Sequence, residues 1–570
     1  MRINLISPPY VAPSYVPIGI AQLKSYIEER VMGASVRAID LNIDFVNKIV
    51  EGKWANTCNI CIARNYCKGR FFRDKVRPDQ AKLLEARDVI KDNEKLYDRD
   101  LFVRHVSPLY DLVNRYSYCF FAVLKHYLEG RIRDRGYVSH LLKDEVEKAM
   151  RGTPELVGFS VLSSTQLAFA VTMAKIIKKK YRVPVVIGGP ALFTLELRKM
   201  MEMFSFIDFI IVKEGEEALL KLVNNLDKGR DYGTVPNLVW RKDGAIIFNE
   251  EKMIDDLDEL PTPDYSDLKL EEYWFPELVL PISSARNCPW RKCKFCQLHA
   301  QHGGKYRHRS IDKVIEDMKT LMGRHNAHNF FFTDLEITAG RLKELGEAIS
   351  NVELPVYFTC CARPTKSLNY EVLKAAYRGG CKLLMLGTES LRDEFLKLVN
   401  KGTTVESILD VLKNTSELKI QTLCYMLCGI PTQTRDDMLA DIKRIATLQK
   451  QYGIFIVVYS LFGLGEYEIF FEERKRYGIS DIRKREAFSA ITGENVHANE
   501  WLEYRYKDGN AYDLLGSGNS PDTRLSYVQD SSLALAEEIA KLGVNEKDRT
   551  FLQTINNFLF ETQLLWPPSK

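Results

Sequence analysis

The sequence has little net charge and no long apolar run. Its acidic and basic side chains leave a formal net charge of only +4 over 570 residues, so composition gives no reason to expect a nucleic-acid partner. The N-terminal apolar run is too short for a secretory signal peptide. The most apolar later stretch, 454–464, is far shorter than the roughly 18–20 residues of a membrane span. We therefore expect a protein without transmembrane segments.

The twelve cysteines are not accompanied by a secretory signal. Cysteines in such a chain are expected to stay reduced and to act as metal ligands or thiols, which predicts a cytoplasmic location. With 45% hydrophobic residues the chain can bury large cores. Its length predicts about three to four domains.

Three cysteines stand close together at Cys288, Cys293 and Cys296, with C-x4-C-x2-C spacing. Soft thiolates this close suit iron–sulfur iron or zinc. Both kinds of site normally take four protein ligands, and no fourth cysteine follows nearby. Three ligands leave one iron of a [4Fe–4S] cluster open for a small molecule. A structural zinc site would instead recruit His299 or His302.

Short apolar runs alternate with helical patterns in residues 1–230. The runs are Arg2–Ser7, Val36–Leu41, Leu156–Val161, Val183–Ile187 and Phe209–Val212. Strands alternating with helices predict a Rossmann-like, doubly wound parallel sheet, which binds ligands beyond the carboxyl ends of its strands. The candidate ligand contacts in those loops are Pro8, Pro9, Ser163, Ser164, Gly188, Gly189, Glu214, Gly215 and Glu216. The paired glycines would let a bulky ligand approach the backbone.

Residues 46–150 interrupt this alternation. Helical periodicity over Gln80–Asp92 and Leu112–Glu129 predicts a helical insertion. Cys58, Cys61 and Cys67 precede it with C-x2-C-x5-C spacing. This set could hold a second cluster or a zinc ion, or its thiols could simply be buried.

Residues 231–280 read as a linker. Asn237–Trp240 and Ala245–Phe248 flank a Lys-Asp-Gly turn, which predicts a β-hairpin. The Pro-rich segment Leu260–Asp264 then marks a domain boundary.

Residues 281–475 form repeated βα units. The candidate strands are Leu278–Ser284, Asn329–Thr333, Val356–Thr359, Leu383–Leu386, Gln421–Leu427 and Ile454–Ser460. Such repeats predict a partial TIM barrel with its site at the carboxyl ends of the strands. The residues at those ends are Asp334, Glu336, Arg363, Gly387, Glu389, Ser390, Gly429 and Pro431. Carboxylates there suit ligand ammonium and hydroxyl groups through charge-assisted bonds, or each residue could cap its own rim loop.

Residues 476–570 are predicted to be mainly helical, with helices at Leu533–Leu542 and Arg549–Phe560. We interpret this region as a cap over the barrel mouth or as a packing appendage. Within the barrel, Cys424 and Cys428 are expected to fill space as small apolar side chains, and a functional thiol at either position is the alternative.

The cysteine loop resembles the cluster loop of the radical S-adenosylmethionine (SAM) superfamily. Phe295 matches the aromatic residue before the last cysteine, although the first gap is one residue longer than usual. The resemblance implies a [4Fe–4S] cluster on the three cysteines, with SAM on the open iron. It implies SAM amino-group contacts at Asp334 and Glu336, a ribose contact at Glu389, and an adenine contact in the loop that begins at Gly429. Gln433 stands where the family usually has a glutamate.

Residues 1–45 and 150–230 resemble the cobalamin-binding domain that precedes many radical SAM modules. The D-x-H-x-x-G motif of other cobalamin domains is missing. The resemblance therefore implies cobalamin whose cobalt has no histidine ligand from the protein, with the loop residues given above as its contacts.

Together these resemblances imply a cobalamin-dependent radical SAM enzyme, and we predict a methyltransferase acting on an unactivated carbon. The alternatives are a non-methylating radical reaction, such as cyclisation, desaturation or C–C bond formation, polar methyl transfer, or a cobalamin-binding sensor or scaffold. The class implies an electron donor such as flavodoxin or ferredoxin. A peptide, a lipid and a small natural-product precursor all remain possible substrates.

Overall fold

Two parallel sheets organise the described part of the chain. The computed structural model describes residues 1–53, 80–130, 137–228 and 231–461 except 97, 299, 301, 302, 431, 434 and 455, and also 472–473, 476, 479–484 and 502–506. Within these ranges, no helix combines the length and apolarity that crossing a bilayer demands.

The N-terminal sheet has seven strands in the order β2-β1-β3-β4-β5-β6-β7. Their bounds are β1 Arg2–Ser7, β2 Ser35–Asp40, β3 Leu156–Ser160, β4 Val185–Gly188, β5 Phe209–Ile211, β6 Leu238–Lys242 and β7 Ala245–Phe248. The first five strands run parallel, and their apolar side chains are buried because helices cover both faces. This confirms the predicted doubly wound sheet.

Helices connect these strands and fill the insertion. They are α1 Ile18–Arg30, α2 Leu41–Val50, α3 Gln80–Ile90, α4 Ser107–Leu128, α5 Tyr137–Leu141, α6 Lys143–Ala149, α7 Ser164–Tyr181, α8 Leu197–Met203 and α9 Glu216–Lys228. The predicted helices at Gln80–Asp92 and Leu112–Glu129 are confirmed by α3 and α4. Phe120 of α4 packs edge-on against Phe45 at 4.9 Å, which anchors the insertion to the sheet unit. Cys58, Cys61 and Cys67 lie outside the described residues.

The hairpin forms where the sequence places it, as β6 and β7. We predicted it as part of a linker, but β6 pairs antiparallel with β5, so the hairpin extends the N-terminal sheet. The segment after it is also fastened to this unit. Lys24 of α1 forms ion pairs with Asp264 and Asp267 at 3.0 and 2.8 Å.

The second sheet has six parallel strands in the order β15-β14-β13-β12-β11-β8. They are β8 Val279–Ile282, β11 Asn329–Phe332, β12 Tyr357–Ala362, β13 Cys381–Glu389, β14 Gln421–Cys428 and β15 Ile456–Leu461. The helices between them are α10 Ile311–His325, α11 Ala339–Asn351, α12 Tyr370–Arg378, α13 Asp393–Leu398, α14 Val405–Glu417 and α15 Arg435–Tyr452. Side-chain caps from Ser310, Thr338, Asn369 and Thr404 start four of these helices. The unit is the predicted partial barrel.

The described part of the C-terminal region is a two-stranded antiparallel sheet. Its strands are β16 Ile479–Lys484 and β17 Leu502–Tyr506. We predicted a mainly helical region, and this strand pair is a β element within it, in which β17 alternates polar and apolar residues. The predicted helices Leu533–Leu542 and Arg549–Phe560 lie outside the described residues.

Candidate active site

The cysteine loop leaves the barrel directly after its first strand. A short antiparallel pair, β9 Ala285–Arg286 and β10 Arg307–His308, closes the base of the loop. Asn287, in the left-handed region at φ 70°, organises the first turn. Its amide donates to the carbonyls of Gly303 and Gly304 at 2.6 and 3.0 Å, and its oxygen accepts from the Cys288 N–H. The loop is therefore fixed at the point where the first cysteine begins.

The three thiols of Cys288, Cys293 and Cys296 are half-buried and close enough to influence one another's ionisation. Burial raises the pKa of Cys293 to about 12, while the nearby Lys401 ammonium opposes the shift. In the described ranges no three His, Cys, Asp or Glu side chains converge tightly enough to bind a single metal ion. Three soft thiolates with a cation beside them fit a [4Fe–4S] cluster, whose cysteines bind separate irons. His299 and His302 lie outside the described residues.

Glu336 connects this loop to the barrel rim. Its carboxylate lies 3.6 Å from the Cys288 sulfur and accepts from the Arg363 Nε at 3.1 and 3.2 Å. Arg363 also donates to the Lys401 carbonyl and stacks over Trp290 at 4.3 Å. Two of the predicted SAM contacts, Glu336 and Arg363, thus form one network against the first cysteine.

A buried ion pair forms the other side of this network. The Lys401 ammonium donates to Glu389 at 2.6 Å and lies 5.7 Å from the centre of the Phe295 ring. Burial by itself would lower the pKa of Lys401, but the adjacent Glu389 carboxylate outweighs it and the pKa is raised. A side chain at Gly387 would meet the ammonium at 2.4 Å, so Lys401 occupies the space that this glycine leaves.

Lys401 was not among the predicted site residues. Residues 400–402 carry an Asn-Lys-Gly sequence, but nothing in that pattern shows that its lysine reaches the previous strand end. The signal that could have found it is Glu389, since a buried carboxylate at a strand end needs a cation.

Three predicted rim residues are engaged in local contacts. Asp334 accepts from the backbone N–H and the hydroxyl of Ser284 at 2.9 and 2.8 Å, and burial raises its pKa to about 6. Ser390 donates to Asp441 of α15 at 2.8 Å, away from the cysteine loop. Gly429 has a φ of 76° and opens the turn after β14. Pro431 lies outside the described residues.

The turn at Gly429 is held by Gln433. The amide oxygen of this buried side chain accepts from the N–H groups of Gly429 and Ile430 at 2.8 and 3.3 Å. Its amide nitrogen is buried and finds no partner among the described residues. A carbonyl oxygen here accepts the same bonds that a carboxylate would, so the sequence departure at 433 leaves the turn intact.

A cavity of about 630 Å³ lies at the carboxyl ends of the N-terminal strands. Its walls include Gly188, Gly189, Glu214, Gly215 and Glu216, all predicted cobalamin contacts. Pro8, Pro9 and Ser163 are not among its described lining residues, whereas Ser7 and Ser160 are. The side chain of Ser164 lies outside the described residues. Ser163 instead caps α7.

The cavity wall suits a broad, flat ligand. Gly189 has a φ of 112°, and a Cβ there would meet the Val161 carbonyl oxygen at 2.4 Å, so the strand ends approach as bare backbone. Apolar side chains form most of the remaining wall, and no histidine occurs among its described lining residues. These features fit a corrin ring lying on the sheet edge.

The same cavity extends to the barrel. Ser283, Ala285, Arg286 and Asn287 line it from the barrel side, and the last two directly precede Cys288. The cavity that fits a corrin ring and the cysteine loop that fits a [4Fe–4S] cluster therefore share a wall.

Ion pairs fix this shared wall. Arg286 binds Glu216, and its Nη1 lies 3.2 Å from Glu214. Arg307 donates to Glu214 at 2.7 Å. Burial by itself would raise the pKa of Glu214, but the two guanidinium groups lower it. Glu214 and Glu216 therefore connect the N-terminal unit to the cysteine loop, a role that sequence reasoning did not give them.

Comparisons with known proteins agree with this layout. Residues 282–445 match the model of the radical SAM superfamily, and residues 121–223 match that of the B12 binding domain. An uncharacterized methyltransferase of Pyrococcus horikoshii is 28% identical over 345 residues, covering 58% of this chain and 74% of that protein. An anaerobic magnesium-protoporphyrin IX monomethyl ester cyclase of Rubrivivax gelatinosus is 28% identical over 334 residues, covering 55% of this chain but only 59% of that protein.

Among solved structures, the chain is similar to the radical SAM methyltransferase TsrM from Kitasatospora setae, a structure with cobalamin and a [4Fe–4S] cluster bound. The TM-score is 0.58 at 16% sequence identity, covering 96% of this chain and 89% of that one. This likeness concerns the fold. The two family models match in the order in which the two sheets occur, so the chain contains a radical SAM domain at residues 282–445 preceded by a B12-binding domain at residues 121–223.

Proposed function

We propose that this enzyme methylates an unactivated carbon, using a [4Fe–4S] cluster, SAM and cobalamin. The observation that carries the proposal is the shared wall, because Arg286 and Asn287 line the ring cavity and lead directly into Cys288. Two cofactors that act on one substrate carbon must open onto one space. When bound, they supply a 5′-deoxyadenosyl radical from SAM and a methyl group from cobalamin.

The chain's own residues hold and orient these groups. Cys288, Cys293 and Cys296 supply the thiolate ligands. Glu336 lies against Cys288 and is held by Arg363, so its carboxylate is the group that would bind the SAM ammonium.

The other SAM contacts come from neighbouring strand ends. Glu389, steadied by Lys401, presents a carboxylate for the ribose hydroxyls. The turn at Gly429, held by Gln433, leaves room for adenine. Asp334 orients Ser284 at the start of the loop and serves as a positioning residue.

Both units enclose the reaction space. Radical chemistry needs a site that excludes water and stray hydrogen donors. Here the loops of the N-terminal sheet and the cysteine loop cover the same cavity, and ion pairs join them. We propose residues 476–570 as the region that selects the substrate, which could be a peptide, a lipid or a small natural-product precursor.

The proposed chemistry also indicates an electron donor and a cellular location. The cluster must be reduced, so we propose an electron donor of the flavodoxin or ferredoxin kind. Reduced thiols and an oxygen-sensitive cluster favour the cytoplasm.

The product pattern tests this function. The anaerobically reconstituted enzyme is incubated with trideuteromethyl SAM, a reductant and a small-molecule extract of the source organism, beside a variant with all three cluster cysteines changed to Ala. We expect 5′-deoxyadenosine, S-adenosylhomocysteine and a deuteromethylated product with the parent enzyme, and none of these with the variant.

Each alternative has its own pattern. S-adenosylhomocysteine without 5′-deoxyadenosine would indicate polar methyl transfer. 5′-Deoxyadenosine with a modified but unmethylated product would indicate a radical reaction such as ring formation, the reaction for which the Rubrivivax relative is named. SAM cleavage that survives in the triple variant would overturn the cluster assignment.

A further inference from the structure

The four residues between the first two cluster cysteines form an exposed basic turn. In Pro289–Lys292, Arg291 adopts a left-handed conformation with a φ of 55°. The side chains of Arg291 and Lys292 are exposed to solvent. A non-glycine residue at positive φ costs about 1 kcal/mol or more and persists only where its surroundings hold it there. The turn therefore holds the side chains of Arg291 and Lys292 in contact with solvent.

Trp290 packs the turn against the barrel rim. Its ring centre lies 4.3 Å from the Arg363 guanidinium and 5.1 Å from the Lys292 ammonium. Its indole N–H donates to the Asn400 carbonyl at 2.8 Å. At Gly402, a Cβ would meet this ring at 2.5 Å, so the turn is packed tightly onto the barrel rim.

A third exposed cation lies on the helix whose end contacts the cysteine loop. The N–H of Lys294 donates to the carbonyl of Val399, which brings the end of α13 against the cysteine loop. Lys397, in the last turn of α13, is exposed. In the described part of the chain, no ion pair involves Arg291, Lys292 or Lys397, whereas Lys294 is paired with Glu473 at 2.7 Å. We call the three unpaired cations the basic turn patch.

The patch lies outside the described lining of the cobalamin cavity. The cavity lining on the cysteine loop ends at Asn287, and no residue of the patch contributes to it. The patch therefore does not serve the corrin or a substrate lying on it. It offers an exposed surface a few residues from two cluster ligands.

We propose that the basic turn patch is the docking surface for an acidic one-electron carrier protein, a proposal that rests on the proposed function. One electron leaves the reduced carrier, which is oxidised, and is accepted by the cluster on the three cysteines, which is reduced. No bond forms or breaks in this step. Unpaired cations beside a redox centre attract a negatively charged partner and speed its encounter, by tenfold or more where the charges are concentrated.

The test compares two reductants on the cluster-loaded enzyme. Stopped-flow absorbance follows cluster reduction by a reduced flavodoxin of net negative charge and, separately, by dithionite. The variant is Arg291→Gln with Lys292→Gln. Its control, Lys319→Gln with Arg324→Gln, removes the same charge from exposed positions on α10, where the described residues provide no ion pair to either side chain.

We expect the Arg291/Lys292 variant to lose about tenfold or more in the flavodoxin-driven rate while its dithionite-driven rate stays within about twofold of the parent. The control should match the parent with both reductants. Added salt should slow the flavodoxin reaction of the parent and have little effect on that of the variant, because screening acts on the same charges.

Three results would overturn the proposal. The first is an unchanged flavodoxin-driven rate in the Arg291/Lys292 variant. The second is an equal loss of its dithionite-driven rate, which would place the effect on the cluster itself. The third is an equal loss of the flavodoxin-driven rate in the control variant. The function is judged separately, since dithionite-driven SAM cleavage by the parent enzyme does not need the docking surface.

Discussion

At the residue scale, the buried pair of Lys401 and Glu389 is the least expected feature of the site. Glu389 has a φ of 62°, so it is held in the left-handed region at the end of its strand. Removing one member of a buried pair leaves an uncompensated charge and typically costs 3–5 kcal/mol. Removing both charges at once avoids most of that cost.

This gives a prediction that separates folding from SAM binding. Lys401→Met should lower the stability of the barrel by about 3 kcal/mol, and the double variant Lys401→Met with Glu389→Gln should recover most of it, as followed by thermal denaturation. Both variants should lose tenfold or more in the rate of SAM cleavage, because Glu389 is our proposed ribose contact. A double variant that recovers both stability and cleavage would remove Glu389 from the SAM site.

The thiol at Cys424 offers a second prediction at this scale. Its side chain is fully buried within β14, and burial raises its pKa to about 12. A buried neutral thiol of this kind fills space, as we predicted from the sequence. Cys424→Ala should therefore keep SAM cleavage and product formation within about tenfold, under roughly 1.4 kcal/mol on the barrier.

The side chain of Cys428 lies outside the described residues, and the same expectation is carried over to Cys428→Ala. Loss of product with SAM cleavage intact in either variant would show instead that a thiol exchanges a hydrogen atom near the radical.

At the element scale, the turn after β14 depends on one side chain. Gln433 accepts two backbone N–H bonds from Gly429 and Ile430. Gln433→Ala would leave both donors unpaired and should raise the SAM concentration for half-maximal cleavage about tenfold or more, since each unsatisfied buried donor costs about 1–3 kcal/mol.

Gln433→Glu is the matched variant, because it keeps the acceptor oxygen. It should stay within about threefold of the parent in the same titration. If Gln433→Ala and Gln433→Glu were equally impaired, the amide nitrogen of Gln433 rather than its oxygen would be the group that matters.

Much of the fold at this scale could be predicted from the sequence. Every strand of the barrel and the parallel strands of the N-terminal sheet follow from short apolar runs between helical patterns, because local periodicity reports burial. The hairpin could also be predicted, but its pairing with β5 could not, since a hairpin pattern does not specify which edge it joins. The strands of the C-terminal region were missed because the alternation at Leu502–Tyr506 extends over only five residues.

The residues of the site could be predicted only where the spacing of ligand side chains in the sequence indicates a cofactor. The spacing of the three cysteines indicates a metal site, and their resemblance to the radical SAM loop favours a [4Fe–4S] cluster over zinc. Arg286 and Arg307 could not be predicted, because their contacts with Glu214 join segments that are distant in sequence. A cation beside Glu389 could be expected, but the sequence does not show that Lys401 supplies it. Charged side chains carry no periodic signal that shows which of them will be buried together.

At the scale of the whole molecule, the ion pairs between the two units couple their sites. Arg286 lies between Glu214 and Glu216 on the wall of the ring cavity. Arg286→Gln should release the loop that begins at Glu214 and so weaken cobalamin binding about tenfold, or roughly 1.4 kcal/mol, measured by absorbance titration. Cluster content should fall in the same variant, because the cysteine loop loses its anchor.

The exposed Lys319→Gln is the control for this prediction, and it should leave cobalamin affinity and iron content unchanged. Normal cobalamin affinity in the Arg286 variant would mean that the two units assemble without this contact.

Electron paramagnetic resonance of the enzyme loaded with both cofactors tests the central claim most directly. We predict a Co(II) signal without the nitrogen splitting of an imidazole ligand, together with a reduced-cluster signal that changes when SAM is added. Changing Cys288, Cys293 and Cys296 to Ala should remove the cluster signal and leave the cobalt signal. Imidazole splitting, a protein that binds no cobalamin, or a cluster signal that persists without the three cysteines would contradict the account.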